Sequence, residues 1–241
     1  MPKNTVVKST APNQGSPFDK TAQHAAKRAA ILSEAAKLFN SKGARATTLA
    51  DVAATLGLTK TSLYYYVKTK EDLIYQCYTS TLEGVLSTLS EIKQTHSSAS
   101  DRIRAYINAH FEAIRLAKEG RGHHVAALLE IASLKGERRT EIEQGYITMF
   151  KNLREFIQQG IDAGEFRQVR TTTSTRALIG ALDWSFYWLE PVPNDEIPAL
   201  AEAAASIILS GVAGSPYIYP KTSDEKPQSA PVQSGFDRDA Q

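Results

Sequence analysis

An all-α chain in two parts is what these 241 residues predict, and three features carry the prediction. Apolar side chains recur at spacings of three and four from Ile31 to Ile208, the period of helices that bury one face. No strand-like alternation and no internal repeat interrupts them. Between residues 49 and 67 two short periodic stretches meet at Gly57, which marks a tight turn between short helices. We therefore expect an N-terminal three-helix bundle followed by a larger helical body, about nine helices in all.

The chain has enough apolar residues, 42%, for a real core without disulfide or metal staples. Its single cysteine, Cys77, has no partner for an internal disulfide. It falls beside Ile74 and Tyr78 on a helical face, where a small buried hydrophobe is expected. No apolar run reaches the length of a membrane span, and the polar start MPKNTVVKSTAPNQGSPFDK lacks the apolar centre of a secretion signal, so a cytoplasmic location is expected. Net charge is only +2, but residues 1–80 hold 11 Lys/Arg against 5 Asp/Glu, and the remainder 17 against 21. A basic head on a mildly acidic body fits a protein whose head alone meets a polyanion.

Residues 1–20 contain Pro2, Pro12, Gly15 and Pro17 with Lys3, Lys8 and Lys20, and read as a flexible basic arm. The head, residues 21–75, opens with a helix from about His24 to Ser41 that turns Ile31, Ala35, Leu38 and Phe39 inward and stops at Gly43. Thr48 caps a second helix whose Leu49, Val52, Ala53 and Leu56 share one face, and Gly57 ends it. Thr59 caps a third. There Leu63 and Val67 turn inward, while Lys60, Thr61, Ser62, Tyr64 and Tyr65 face outward and can donate to phosphates and base edges. A Gly turn of this length between short helices is the helix-turn-helix pattern, whose second helix enters the DNA major groove. One of the three tyrosines Tyr64 to Tyr66 must face inward on a helix, and Tyr66 is the candidate.

The body, residues 76–214, is reached along a long fourth helix capped by Thr69 and running to about Lys93. A fifth carries Ile103, Tyr106, Ile107, His110, Phe111 and Ile114 on one stripe, and Val125, Leu128, Leu129 and Ala132 suggest a short sixth. The seventh is lined by Ile142, Tyr146, Met149, Phe150, Leu153, Ile157 and Ile161 and ends at Gly164. The eighth, RALIGALDWSFYWLE, is apolar round most of its circumference and calls for cover on more than one side; Pro191 and Pro193 end it. A ninth runs from about Asp195 to Gly211, and the Pro-rich polar remainder, residues 215–241, reads as a disordered tail.

The order and spacing of Ile31, Ala35, Leu38, Phe39, Gly43, Thr48, Val52, Ala53, Gly57, Leu63, Tyr64, Lys70, Glu71 and Leu73 resemble the TetR family of bacterial transcriptional regulators, over about residues 27–75. One position departs: Val67 stands where the family usually has Phe. The resemblance implies DNA binding through Thr48, Thr59, Lys60, Thr61, Ser62, Tyr64, Tyr65, Lys68 and Lys70, with Thr48, Lys68 and Lys70 on phosphates. It also implies a homodimer on a palindromic operator, because one short helix reads only a few base pairs.

The body resembles the family's ligand-binding domain more weakly. Tyr106, His110, Phe111, Met149, Phe150, Trp184 and Trp188 are the candidate effector contacts, although core packing explains the same spacing. The segment Gly180 to Pro191 is similar to regulators of the family that respond to acyl-CoA thioesters, with Tyr187 where that pattern often has Arg. No cofactor is implied beyond such an effector. Leu178, Ala181, Leu182, Leu200, Ala204 and Ile208 are the candidate dimer seam.

The adjacent His123 and His124 point about a third of a turn apart on a helix and form no paired metal grip. The chain shows no nucleophile elbow, phosphate-binding Gly loop or HExxH run, so an enzyme is not expected. The rival reading is a helical enzyme or carrier for a hydrophobic substrate that uses the head only for docking.

Overall fold

The computed structural model describes residues 17–121, 125–128 and 130–210, with side chains from Thr21 onward. The described residues form eight α-helices: α1 (Pro17–Lys42), α2 (Leu49–Thr55), α3 (Lys60–Tyr66), α4 (Lys70–Thr95), α5 (Ala99–Lys118), α6 (Gly136–Asp162), α7 (Thr171–Trp188) and α8 (Ile197–Ser210). The first begins seven residues before the expected His24. Pro17 suits a first helical position because its φ is already fixed and its missing N–H is not needed there. Most of the expected arm, and the expected tail from 215, lie outside the described residues.

The head is a small core of Ile31, Ala35, Leu38 and Phe39 from α1, Val52 and Ala53 from α2, Leu63 from α3, and Leu73 and Ile74 from α4. Caps set where these helices start. Thr48, Thr59 and Thr69 each accept a hydrogen bond from the backbone N–H three residues on, and Asp51 reaches back to the N–H of Thr48 at 2.8 Å. Between α2 and α3, Gly57 takes φ +62°, a conformation costly for a side chain with a Cβ. Val67 is fully buried beneath the recognition helix.

The expected sixth helix does not form among the described residues. Residues 125–128 run as irregular chain, and a single turn of 3-10 helix covers Ile131–Ser133. Side chains of two distant helices take up its backbone groups instead. Asn40 donates to Val125 O at 2.7 Å and accepts from Ala127 N at 2.9 Å, Thr81 accepts from Ala126 N, and the Tyr78 hydroxyl accepts from Glu130 N. A segment anchored by such partners has no need of a helical ladder. Its Ala126 and Leu134 complete the head core, so head and body share packing.

The body core gathers Leu89 and Ile92 of α4, Ile103, Ile107 and Phe111 of α5, Leu153 and Phe156 of α6, Leu178 and Leu182 of α7, and Ala201 and Ala205 of α8. No helix among the described residues is long and apolar enough to cross a membrane. At the end of α6 the backbone N–H of Phe166 donates to Gly160 O at 2.9 Å, and its ring lies where a Cβ at 160 would be. Replacing this glycine, Gly160→Ala, is expected to destabilise the protein by about 1–3 kcal/mol through overpacking. Chemical denaturation reads the effect, and a change below about 0.5 kcal/mol would show that Phe166 moves aside freely.

Candidate functional site

The recognition surface is α3. Its period leaves Tyr65 69% exposed while Leu63 is 1% exposed, and Lys60, Thr61, Ser62 and Tyr64 lie on the same outward side as Tyr65. The Lys60 ammonium sits 5.9 Å from the centre of the Tyr64 ring, and the Thr59 and Ser62 hydroxyls are 2.8 Å apart. Thr48 is exposed at the start of α2, where unpaired helix N–H groups favour an anion. Lys68 and Lys70 have structural duties as well. Lys68 Nζ donates to Tyr64 O at 3.0 Å, closing the end of α3, and Lys70 Nζ donates to Arg45 O at 2.6 Å, tying α4 to the turn before α2.

Tyr66 does turn inward. Its ring stacks on His24 of α1 with centres 4.8 Å apart, and Tyr65 meets both rings edge-on, at 5.2 Å from Tyr66 and 5.5 Å from His24. This contact joins residues far apart in the chain, so no local sequence signal announces it. Arg45, exposed in the turn ahead of Thr48, is a further cation of the head that sequence reasoning passed over.

A cavity of about 530 Å³ lies between α1, α4 and α5. It exists because the facing positions are small: Ala25, Ala29, Ser33 and Ala36 on α1, Ser80, Thr81 and Gly84 on α4, Ala109 and Ala113 on α5. Such side chains keep helical spacing but cannot fill the space between helix axes. His24 and Arg28 border the end toward the head. A further hollow of about 40 Å³ shares Thr81, Val85, Tyr106, His110 and Val125 with it and extends to Tyr146, Met149, Asp183 and Phe186. The two spaces adjoin across these shared residues.

Of the expected effector contacts, Tyr106, His110 and Met149 line the site. Phe111 is buried in the core and Phe150 packs partly buried against it, both away from the space. The two tryptophans are also elsewhere. Trp184 is 64% exposed, two residues and thus about 200° round α7 from the inward Leu182. Trp188 sets its ring edge-on to Phe111 at 5.8 Å, with 38% exposed. The residues of the expected seam divide in the same way. Leu178 and Leu182 are 4% and 3% exposed and already belong to the core of this chain, and Leu200, Ala204 and Ile208 are half-buried against it. Ala181 alone of that set faces outward, alongside Ala177, Gly180 and Trp184.

Several polar side chains line the site, and the titratable ones at its inner end are perturbed. His110 Nε2 lies 3.0 Å from Leu182 O and 2.9 Å from Ser185 Oγ, clamping α5 to α7, and burial pushes its pKa down to about 4. The ring is therefore neutral near pH 7 and acts as a donor to that carbonyl. Burial pushes the Asp183 carboxyl up to about 6, and the Tyr106 and Tyr146 phenols are also raised, first by burial and then by the charge of Asp183. Cys77 borders the cavity, but its thiol donates to Leu32 O and burial pushes it up to about 12, which leaves it inert. Sequence reasoning missed Arg28, Ser80 and Thr81 because small and polar residues resemble a solvated face; the three-and-four spacing of Ala25, Ala29, Ser33 and Ala36 on α1 and of Ser80, Gly84 and Thr88 on α4 was the available signal, while Asp183 on α7 had none. Among the described residues no group of His, Cys, Asp or Glu could hold a metal ion, and His123 and His124 lie outside them.

The pattern for bacterial regulatory proteins of the tetR family matches residues 31–77, from Ile31 of α1 to Cys77 of α4, and that for a tetracyclin repressor-like C-terminal domain matches residues 96–212. The chain belongs to the TetR family. It is a DNA-binding transcriptional regulator rather than an enzyme. Among relatives, the HTH-type transcriptional repressor KstR2 of Rhodococcus jostii is 26% identical over 201 residues, covering 82% of this chain and 96% of the relative. That of Mycolicibacterium smegmatis is 24% identical, covering 80% and 94%. Among solved structures, the ketosteroid transcriptional regulator KstR2 of Mycobacterium tuberculosis superposes with a TM-score of 0.64 at 25% identity over 77% of this chain and 94% of its own. AibR in complex with isovaleryl coenzyme A and operator DNA superposes with a TM-score of 0.60 at 26% identity over 75% and 97%.

The double substitution Lys60→Ala with Tyr65→Ala is expected to abolish specific operator binding while the thermal unfolding midpoint stays within a few degrees of the parent. Retention of specific binding would remove α3 from its reading role. In the parent, the log of affinity should fall against log salt by roughly 0.9 per phosphate contacted, and a flat profile would contradict a basic head as the DNA surface.

Proposed function

We propose that the protein is a cytoplasmic homodimeric repressor, released from a palindromic operator when an apolar small molecule enters the cavity between α1, α4 and α5. One observation carries this reading: the cavity wall on one side is α1, whose adjoining face is the head core, with Leu32 and Ala36 belonging to both. A molecule filling the space presses on the helix that supports the recognition helix, and His24 at the cavity rim stacks directly on Tyr66 of α3. Occupancy then favours a head position that no longer fits two successive major grooves, and DNA affinity falls by the ligand's differential affinity for the two states.

The relatives narrow the effector class. AibR is described with isovaleryl coenzyme A and KstR2 as a ketosteroid regulator, so an acyl-CoA thioester is the effector we propose to test first. A cavity of about 530 Å³ suits the apolar part of such a molecule.

The second copy, on this reading, covers the outward face of α7. Trp184 at 64% and Ile207 of α8 at 56% exposure lie on the side not used by the chain's own core, with Ala177, Gly180 and Ala181 allowing close approach. This stripe replaces Leu178 and Leu182 in the seam. Exposed apolar area of this kind marks an association surface, and two helices from each copy make a four-helix interface.

Fluorescence anisotropy of DNA from upstream of the protein's own gene tests the effector reading. Acyl-CoA titration should release the complex, with a chain-length preference that sizes the cavity. Ala109→Phe, which fills that space, should keep operator affinity and lose release; release unchanged in this variant would place the effector elsewhere. Trp184→Glu is expected to yield folded monomers in sedimentation velocity with operator affinity at least tenfold weaker, and an intact dimer would contradict the α7 seam.

A further inference from the structure

The inner end of the site is chemically unlike the rest. Where α5, α6 and α7 converge, the Asp183 carboxylate and the Tyr106 and Tyr146 phenols border the hollow, among Met149, Ile179, Leu182 and Phe186. None of the three oxygen-bearing groups has a hydrogen-bond partner among the described residues, and none is sealed in apolar packing. His110, the other titratable neighbour on α5, already spends its Nε2 on Leu182 O and Ser185 Oγ. Arg176, two turns earlier on α7, lowers the pKa of Tyr146 by its charge, and no ion pair among the described residues joins it to Asp183.

A carboxylate accepts hydrogen bonds and donates none, and an unpaired one beside apolar walls is costly. The phenols beside it both donate and accept. A methyl-ended chain pushed into this hollow would leave the carboxylate facing hydrocarbon, and a carboxylate-ended one would set like charges together. A group that presents an O–H or N–H satisfies Asp183 while its own oxygen, or its remaining protons, meets the phenols.

We infer that the inner hollow is a selectivity subsite in which Asp183, flanked by Tyr106 and Tyr146, requires the effector's buried end to carry a hydrogen-bond donor, a hydroxyl or a protonated amine. The inference rests on the cavity being the effector site. It turns a general apolar cavity into one that selects a hydroxylated or amino-tipped molecule over its plain hydrocarbon or acid analogue. For an acyl-CoA, the tail reaching this hollow is then hydroxylated rather than methyl-ended.

Isothermal titration calorimetry with three probes of one rigid apolar body separates the possibilities: 1-adamantanemethanol, 1-adamantanemethylamine and 1-adamantanecarboxylate, at pH 7.5 with the full-length dimer. The alcohol and the amine should each bind at least tenfold more tightly than the carboxylate. In Asp183→Asn, which keeps the shape and removes the charge, the amine should weaken at least tenfold and the carboxylate should gain, bringing the spread within threefold. Tyr146→Phe should weaken the alcohol and leave the amine's preference over the carboxylate in place. If all three probes bind with an order that Asp183→Asn leaves unchanged, the subsite is wrong and the effector cavity stands. If none of the three binds, the cavity fails as an effector site and the subsite falls with it.

Discussion

Everything in this molecule depends on α1 serving two adjoining faces. One face supplies Ile31, Ala35, Leu38 and Phe39 to the head core; the next supplies Ala25, Ala29 and Ser33 to the cavity wall, and Leu32 and Ala36 belong to both. Close-packed interiors transmit displacement rather than absorb it, so a helix gripped by the head on one side cannot yield to a ligand on another without carrying the head along. The His24 ring extends this link beyond the helix itself, through Tyr66, to the surface that reads DNA. The anchored segment at 125–128 adds a second tie, because Asn40 of α1 holds its backbone while Thr81 of α4 takes the next N–H.

Side-chain size explains why the space exists, and charge explains what it selects. The α1, α4 and α5 helices meet through alanine, serine, threonine and glycine over the cavity, whereas leucine, isoleucine and phenylalanine fill the body core below it. Stability is thereby concentrated in the two cores and left thin at the site between them, which is where a ligand can contribute binding energy. Against that apolar background an unpaired carboxylate stands out. Partial burial among apolar neighbours pushes its pKa up to about 6.

Much of this was legible in the sequence, for physical reasons that differ by region. In the head, caps and periodicity agree: Thr48, Thr59 and Thr69 each start a helix where expected, and Leu63 and Val67 face inward as the period requires. Local preference and tertiary packing pull the same way there. The segment from Val125 to Ala132 failed because its backbone partners, Asn40, Tyr78 and Thr81, are more than 40 residues away and leave no local signal. In α7 the composition showed that two sides were apolar but not which side met its own chain, and the rotation of Trp184 away from Leu182 decided it. The cavity itself was hidden because a wall of small residues reads like a solvated face until the helices are brought together.

The most direct test of the coupling through α1 is hydrogen–deuterium exchange of the dimer with and without the effector that releases its DNA. The account predicts slower exchange across residues 21–36 and 77–88, which wall the cavity, together with altered exchange in the recognition helix, residues 60–66. Protection confined to α5 through α8, with α1 and α3 unchanged, would contradict it.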